Sequence, residues 1–406
     1  MRKSFFEELN SGIDSGVAYK NLNLKKSIIS FLSRNKNVTI PDLSKELNLS
    51  VPKVTNIIND LIEDGLVRDN GKITSNGGRR PSIYGLEPES GFFLGIDVKK
   101  NYLNLGIMDF QNNIIKITEN HPYELSNDKA SLDELCTIIS RFIGKLPIPR
   151  EKILGIGINL SGRVNYATGY SYSFFNFQED PLSKIIENYI GIPVYLENDS
   201  RAMAYGEFTH GIVKDEKNVL FLNLDYGLGM GIMIDQEIYY GKSGFAGEFG
   251  HIPLFDNDII CNCGKKGCLE TEASGWALVE MFKKEIQNGT TTALDNEAGT
   301  PIILENIIKA ALNDDVLAIE LVAKVGSHLG KAISILINIF NPELVILGGA
   351  LAETGDYLRL PILSAINKYS LSRVNSDTAI KISKLGNKVG VIGSCLLVRN
   401  RLLSIS

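Results

Sequence analysis

Two stretches of this 406-residue chain read as paired strands that each lead a run of alternating elements, and this doubling limits the fold more than any other feature. The first is FFLGIDVKKNYLNLGIMDF, residues 92–110: strand, tight turn, strand. The second is NVLFLNLDYGLGMGIMIDQEIYYG, residues 218–241, on the same plan. Further strand-like runs, among them NIIKITEN, ILGIGINL, PVYLEND and ELVILGG, alternate with helix-like runs at 131–144, 181–189, 200–209, 274–287, 315–339 and 357–369. The order β-β-β-α-β-α-β-α predicts a mixed sheet flanked by helices, an α/β architecture built twice. Two such lobes meet at a hinge and leave a cleft, where small ligands bind. The expected divisions are a head at 1–86, a small lobe at 87–208, a large lobe at 209–387, and a C-terminal helix, 388–406, returning to the small lobe.

The head reads differently. In KKSIISFLSRN, residues 25–35, Ile28, Ile29 and Leu32 share one helical face. Thr39 followed by Pro41 and Asp42 predicts a capped helix start. SVPKVTNIINDLIEDG predicts a third helix with Ser50 as its cap, Gly65 at its end, and Val54, Ile57, Ile58, Leu61 and Ile62 facing inward. Two short helices joined by the tight turn NLS make a helix-turn-helix. The outward Lys53, Thr55, Asn56 and Asn59 can bond base edges or phosphates. LVRDNGKIT reads as strand, Asn-Gly turn, strand, which is a wing. Arg79 and Arg80 then follow two glycines, on an arm suited to the minor groove or, alternatively, in a solvated linker. Residues 1–86 carry 13 Lys and Arg against 9 Asp and Glu, leaving 29 against 38 for the body. A basic head on an acidic body suggests a polyanion partner for the head alone, and the winged helix-turn-helix reading makes that partner double-stranded operator DNA. In residues 1–22, Phe5, Phe6 and Leu9 are one turn of an amphipathic helix that packs on the head or on a second subunit.

No run of about 18 apolar residues is present, so no membrane is expected. MRKSFFEELNSG holds acidic residues where a signal peptide has its apolar core, which predicts a cytoplasmic protein. Three of the five cysteines fall within CNCGKKGC. Such clustering points to metal before disulfide. His251, Cys261, Cys263 and Cys268 supply one imidazole and three thiolates, the donor set of closed structural zinc. Gly264 and Gly267 let the loop curl back, while Cys136 and Cys395 sit in apolar company as core thiols.

The motifs LENDSRAMAYGE, GKSGFAGEFGHIPL with CNCGKKGCLETEAS, and NPELVILGGAL carry a resemblance. Through them the body resembles the ROK family of transcriptional repressors and sugar kinases, which have an actin-like ATPase fold. The resemblance implies a monosaccharide site formed by Asn198, Asp199, Glu248, His251 and Glu270. It also implies a closing loop in INLSGRVNYATGYSYSFFNF with contacts from Ser161, Gly162 and Asn176, although Leu160-Ser161-Gly162 stands where the family has Pro-Gly-Pro. Asp199 matches the general base of the family's kinases.

The phosphate side departs from the pattern. Phosphate cradles need glycines, because backbone N–H groups must approach the oxygens unobstructed. Where the family has Asp-x-Gly-Gly-Thr, this chain has Asp97, Val98, Lys99, Lys100 and Asn101; where it has Gly-Thr-Gly, the chain has Asp225, Tyr226 and Gly227. Only Gly348 and Gly349 remain. The expectation is therefore a sugar-responsive repressor without catalysis, working as a homodimer or dimer of dimers, with Glu248 and His251 transmitting occupancy. The alternative is an active ATP-dependent kinase with an appended DNA-binding head, in which Lys99 and Lys100 clamp phosphate by charge against the opposition of Asp225. AIELVAKVGSHLGKAISILINIF is a long helix whose apolar positions exceed one face, for packing within its lobe or against a partner.

Overall fold

A computed structural model describes residues 4–10, 16–72, 81–296 and 301–405. The head runs α1 (Phe5–Asn10), α2 (Gly16–Arg34), β1 (Val38–Thr39), α3 (Ile40–Glu46), α4 (Val51–Glu63), β2 (Val67–Lys72) and β3 (Ser82–Leu86). Thr39 and Asp42 form a reciprocal cap on α3, each side chain accepting the other's backbone N–H. Ser50 occupies the cap position of α4 but makes no side-chain cap bond. Helix α4 buries Val54, Ile57, Ile58 and Leu61. Ile62 is instead 37% exposed, because eight residues past Val54 it has drifted to the edge of the apolar stripe. Phe5 is fully buried, its N–H donates to Asp64 at 3.1 Å, and the buried Lys25 ammonium donates to Glu8 at 2.9 Å. The first turn therefore packs on the head itself.

The wing differs from the sequence expectation. Asn70-Gly71 is not its tip: β2 continues through both residues, with an irregular register between Asp69 and Lys72. Asp69 captures the Gly71 N–H at 2.8 Å, which makes a local kink instead of a chain reversal. The partner strand is β3, in the order β1-β3-β2.

The small lobe contains β4 (Phe92–Val98), β5 (Tyr102–Asp109), β6 (Ile114–Pro122), α5 (Lys129–Gly144), β7 (Ile153–Leu160), the short hairpin β8 (Val164–Asn165) and β9 (Tyr170–Ser171), α6 (Leu182–Ile190), β10 (Val194–Asn198) and α7 (Asp199–His210). Its sheet has the order β10-β7-β4-β5-β6. Leu94, Ile96 and Ile158 pack against Leu135 and Ile139 of α5 and Ile186 of α6. The large lobe contains β11 (Val219–Leu224), β12 (Leu228–Ile234), β13 (Glu237–Ile238), α8 (Glu270–Ala273), α9 (Gly275–Gln287), α10 (Leu304–Leu312), α11 (Val316–Phe340), β14 (Leu344–Gly348), α12 (Asp356–Tyr369), α13 (Ser372–Asn375) and β15 (Ala379–Ile382). Its sheet has the order β13-β12-β11-β14-β15. The long α11 is buried along most of its length within this lobe's core, and Val316 and Ile339 near its ends are exposed. Among the described residues no helix is long and apolar enough to cross a membrane.

The final helix, α14 (Val389–Leu403), covers the inner face of the small-lobe sheet, as α7 covers the large-lobe sheet, and the two helices cross at the hinge. They approach to backbone contact. A Cβ on Gly393 would stand 1.8 Å from the Ala202 carbonyl oxygen, and one on Gly206 would stand 2.7 Å from that of Val389. Gly393→Ala is expected to cost about 1–3 kcal/mol by forcing the helices apart. Urea unfolding measures this, and a loss under about 0.5 kcal/mol would show that the crossing relaxes without strain. Beyond the crossing, Val398 and Leu403 join Phe93 and Phe110 in one core with Phe5, Ile29, Leu32 and Leu86 of the head. Head and body are thus packed together as well as linked in sequence.

Candidate functional site

Strands β7 and β10 run parallel with Leu160 opposite Asn198, so the loop after one and the helix after the other emerge side by side. Ligands in open α/β sheets bind at this carboxyl edge. Asn198 caps α7: its Oδ1 accepts the Arg201 N–H at 3.2 Å, and its Nδ2 donates to the Gly162 carbonyl at 3.0 Å. With the cap position filled, the Asp199 carboxylate serves other partners. It accepts the Ser161 hydroxyl at 2.8 Å, the Asn223 amide at 3.1 Å and the Ser200 N–H at 2.7 Å, and is only 7% exposed. Gly162 takes a φ of +83°, where a Cβ would strike the Ser173 hydroxyl at 2.3 Å. Ser161, Gly162, Asn198 and Asp199 therefore form one hydrogen-bonded group. Asn223 was missed in the sequence. Its signal was a lone amide inside the apolar run FLNL, since a buried amide requires partners. Asn176 is placed differently: its side chain pairs with Asn127 at 2.8 Å and donates to the Tyr172 carbonyl, on the exposed surface.

Across the cleft, His251 closes a short 3-10 turn, Phe249–His251, and the cysteine loop folds back on itself through bridges Pro253–Cys268 and Ile260–Lys266. Gly264 and Gly267 adopt φ of +81° and +73°, the left-handed conformation that lets the loop reverse. The donor atoms of His251, Cys261, Cys263 and Cys268 all lie within 4.8 Å of one another. The Cys263–Cys268 sulfur separation is 3.6 Å, and His251 Nδ1 lies 3.5 Å from the Cys261 sulfur. Edges of a tetrahedron built on metal–sulfur bonds of about 2.3 Å and a metal–nitrogen bond of about 2.0 Å are close to these lengths. The donor set therefore fits a single tetrahedral metal ion. Burial pushes the Cys261 thiol up to about 12, and a bound cation would reverse that preference by taking the thiolate.

Nδ1 faces the sulfurs, while Nε2 of the same ring lies 3.8 Å from the Glu248 carboxylate. Glu270 Oε1 lies 3.7 Å from the Cys261 sulfur, and its Oε2 accepts the Leu228 N–H at 3.0 Å. Glu248, His251 and Glu270 thus form a second group, attached to the metal loop and to the start of β12.

The two altered phosphate loops meet each other. Lys99, 8% exposed, pairs with Asp97 at 3.6 Å in its own lobe and with Asp225 at 3.3 Å in the other. Burial works against the Lys99 ammonium, but Asp97, Asp225 and Asp199 outweigh it and raise its pKa. Lys100 lies over the Tyr226 ring at 5.3 Å. The lysines are already engaged, and Asp225 is neutralised by one of them. Gly348 and Gly349 serve packing: a Cβ on either would strike the Phe221 ring at 2.3 Å or the Leu224 backbone at 2.6 Å.

In the head, Lys53, Asn56 and Asn59 are exposed along α4. Thr55 is half-buried and donates its hydroxyl to Val51 at 2.8 Å, so toward DNA its oxygen is an acceptor. Arg79 and Arg80 lie outside the described residues.

The sequence model of the ROK family matches residues 93–401, and that of a winged helix-turn-helix DNA-binding domain matches residues 22–68. The xylose repressor of Caldicellulosiruptor bescii is 31% identical over 384 residues, covering 94% of this chain and 96% of the relative. A solved ROK-family transcriptional regulator, described as a homologue of the E. coli MLC protein, superimposes with a TM-score of 0.79 at 27% identity, covering 95% of this chain and 96% of the other. The glucokinase of Halalkalibacterium halodurans is 34% identical over 257 residues, 62% of this chain and 78% of the kinase. The kinase likeness spans a smaller share of this chain than the repressor likeness does.

Proposed function

The chain belongs to the ROK family, and from that premise we propose that it is a cytoplasmic, sugar-responsive transcriptional repressor that acts without catalysis. One observation carries the reading: a winged head packs against a two-lobed body whose nucleotide loops are bound to each other by the Lys99–Asp225 pair. A lysine–aspartate pair and an aromatic ring stand in the two loops where the family's kinases carry glycines, which supports a body that does not cradle a triphosphate. The hydroxyl-recognition groups remain. Asp199, Asn198, Ser161 and Gly162 offer acceptors and donors from one lobe, and Glu248, His251 and Glu270 offer them from the other. Asn176 joins them only if the loop it caps leaves Asn127. His251, Cys261, Cys263 and Cys268 would hold a structural zinc ion, which would fix the His251 ring beside Glu248.

The head uses Lys53, Thr55, Asn56 and Asn59 in the major groove, with Arg79 and Arg80 reaching the minor groove. Two heads in a homodimer, or in a dimer of dimers, read two half-sites. A monosaccharide between the lobes changes their spacing and releases the operator. The xylose repressors among its relatives make D-xylose the first sugar to test.

The experiment is a thermal-shift screen of D-xylose, D-glucose and N-acetyl-D-glucosamine, followed by operator binding with any sugar that stabilises the chain. Operator affinity is expected to fall about 5- to 150-fold. An unchanged operator affinity with sugar bound would overturn the reading. Asp199, held by Ser161, keeps open a second reading as an active kinase; sugar-dependent ADP release in a coupled assay would establish it.

A further inference from the structure

The pocket motif continues into a buried cluster whose far end, Arg401 in the last turn of the C-terminal helix, lies beside the head. Glu197, immediately before Asn198, has a side chain only 3% exposed. Its Oε1 accepts the Arg201 Nε–H at 2.7 Å and the Asn198 N–H at 2.9 Å. Its Oε2 accepts the Tyr240 hydroxyl at 3.2 Å and pairs with the Arg401 guanidinium. Arg201 then donates to the carbonyls of Gly244, in the loop that leads to Glu248, and of Val164, at the root of the hairpin after Gly162. One carboxylate and one arginine thus hold the walls of the pocket from both lobes.

Arg401 leads elsewhere. It donates to the Leu196 carbonyl at 2.8 Å and lies over the Tyr166 ring, which stacks on Tyr240 at 3.9 Å. It is also part of the last turn of α14. Leu402 and Leu403, the next two residues, pack into the core shared with Leu32, Val67 and Leu86 of the head. The metal loop has no such placement, because Phe249, Leu254, Phe255 and Leu269 pack into the large-lobe core.

We propose that the Glu197–Arg401 pair couples the effector pocket to the DNA-binding head through the last turn of α14, with Arg201 as the residue that positions the pocket walls around Glu197. The proposal rests on the effector reading above for its signal, but not for its wiring. A shift of Asn198 or of the 244–248 loop displaces the Glu197 carboxylate. Arg401 follows it, because a buried charge pair that separates is left uncompensated. The helix end then moves against the head core.

Two measurements on the full chain decide this. Without sugar or DNA, Glu197→Gln is expected to raise amide hydrogen exchange in α2 and in the last turn of α14 by about tenfold. Arg401→Met should do the same, the double variant should add little, and Arg401→Lys should fall between. Exchange in α2 within about twofold of wild type in Glu197→Gln would overturn the proposal whatever sugars do. With an operator selected from random DNA and a sugar that shifts wild type, Arg401→Met should keep sugar affinity within about threefold while the sugar's effect on operator affinity falls from about 5- to 150-fold toward none. A merely structural arginine would weaken both together, and an undiminished sugar effect would refute the coupling. If wild type shows no sugar effect, the effector reading fails, and the exchange result still decides the wiring.

Discussion

Cys268→Ser is expected to remove one of the four donors that would hold a metal ion in the cysteine loop and to release residues 253–268 from the large lobe. Metal content by plasma mass spectrometry is expected to fall from about one ion per chain to none. The loop has little else to hold it. Residues 262–266 are exposed, as are Ile259 and Ile260, and the loop is tied to the lobe through two isolated bridges, the packing of Leu254 and Phe255, and the Asn257 amide, which donates to Glu272 at 2.7 Å. Structural zinc contributes on the order of 10 kcal/mol in small domains that depend on it, so removal melts a loop this poorly packed. Proteolysis within residues 256–266 should become rapid while the head stays intact. Because His251 loses the anchor for Nδ1 and Glu270 its neighbour Cys261, sugar affinity should fall at least about tenfold, or about 1.4 kcal/mol. A metal-free chain with an intact loop and unchanged sugar affinity would refute both the closed site and its support of the pocket.

Lys99→Met is expected to cost about 3–5 kcal/mol of stability in urea unfolding. The cost arises from Asp97, which is 1% exposed and loses its 3.6 Å partner. Asp225, with a side chain 23% exposed, can hydrate and contributes less. Asp97→Asn in the Lys99→Met background should recover most of the loss, because it removes the uncompensated charge. Burial and the neighbouring Asp199 and Asp225 hold the Asp97 carboxyl above the ordinary carboxylate value, and Lys99 offsets only part of that shift. A loss under about 1 kcal/mol would therefore mean that Asp97 is protonated in the native chain and that no buried ion pair exists. The same result would weaken the case that this pair, in place of nucleotide, joins the lobes.

Much of the architecture was legible in advance. Helix α4 could be read from the spacing of Val54, Ile57, Ile58 and Leu61, because period and burial agree on a helix packed on one side. The metal set could be read from CNCGKKGC and an upstream histidine, because a loop with three thiols has few other uses. The short, half-exposed β15 (Ala379–Ile382) could not, since four residues carry no usable alternation. The wing is present, but its turn was misplaced, because Asn-Gly is the ordinary hairpin signal and nothing local shows that Asp69 will capture the Gly71 amide.

Local chemistry is encoded in short windows: which residues bury, which cap, and which four donors share a loop. The tertiary structure decided what those residues face. It paired Lys99 with Asp225, 126 positions away, turning two apparently opposed substitutions into one contact between lobes. It set Asn176 against Asn127 and brought Glu197 to Arg401 beside the head. Charges and amides gain or lose most of their energy from partners at close range in low dielectric, and in this chain those partners come from distant segments that only the closed fold assembles.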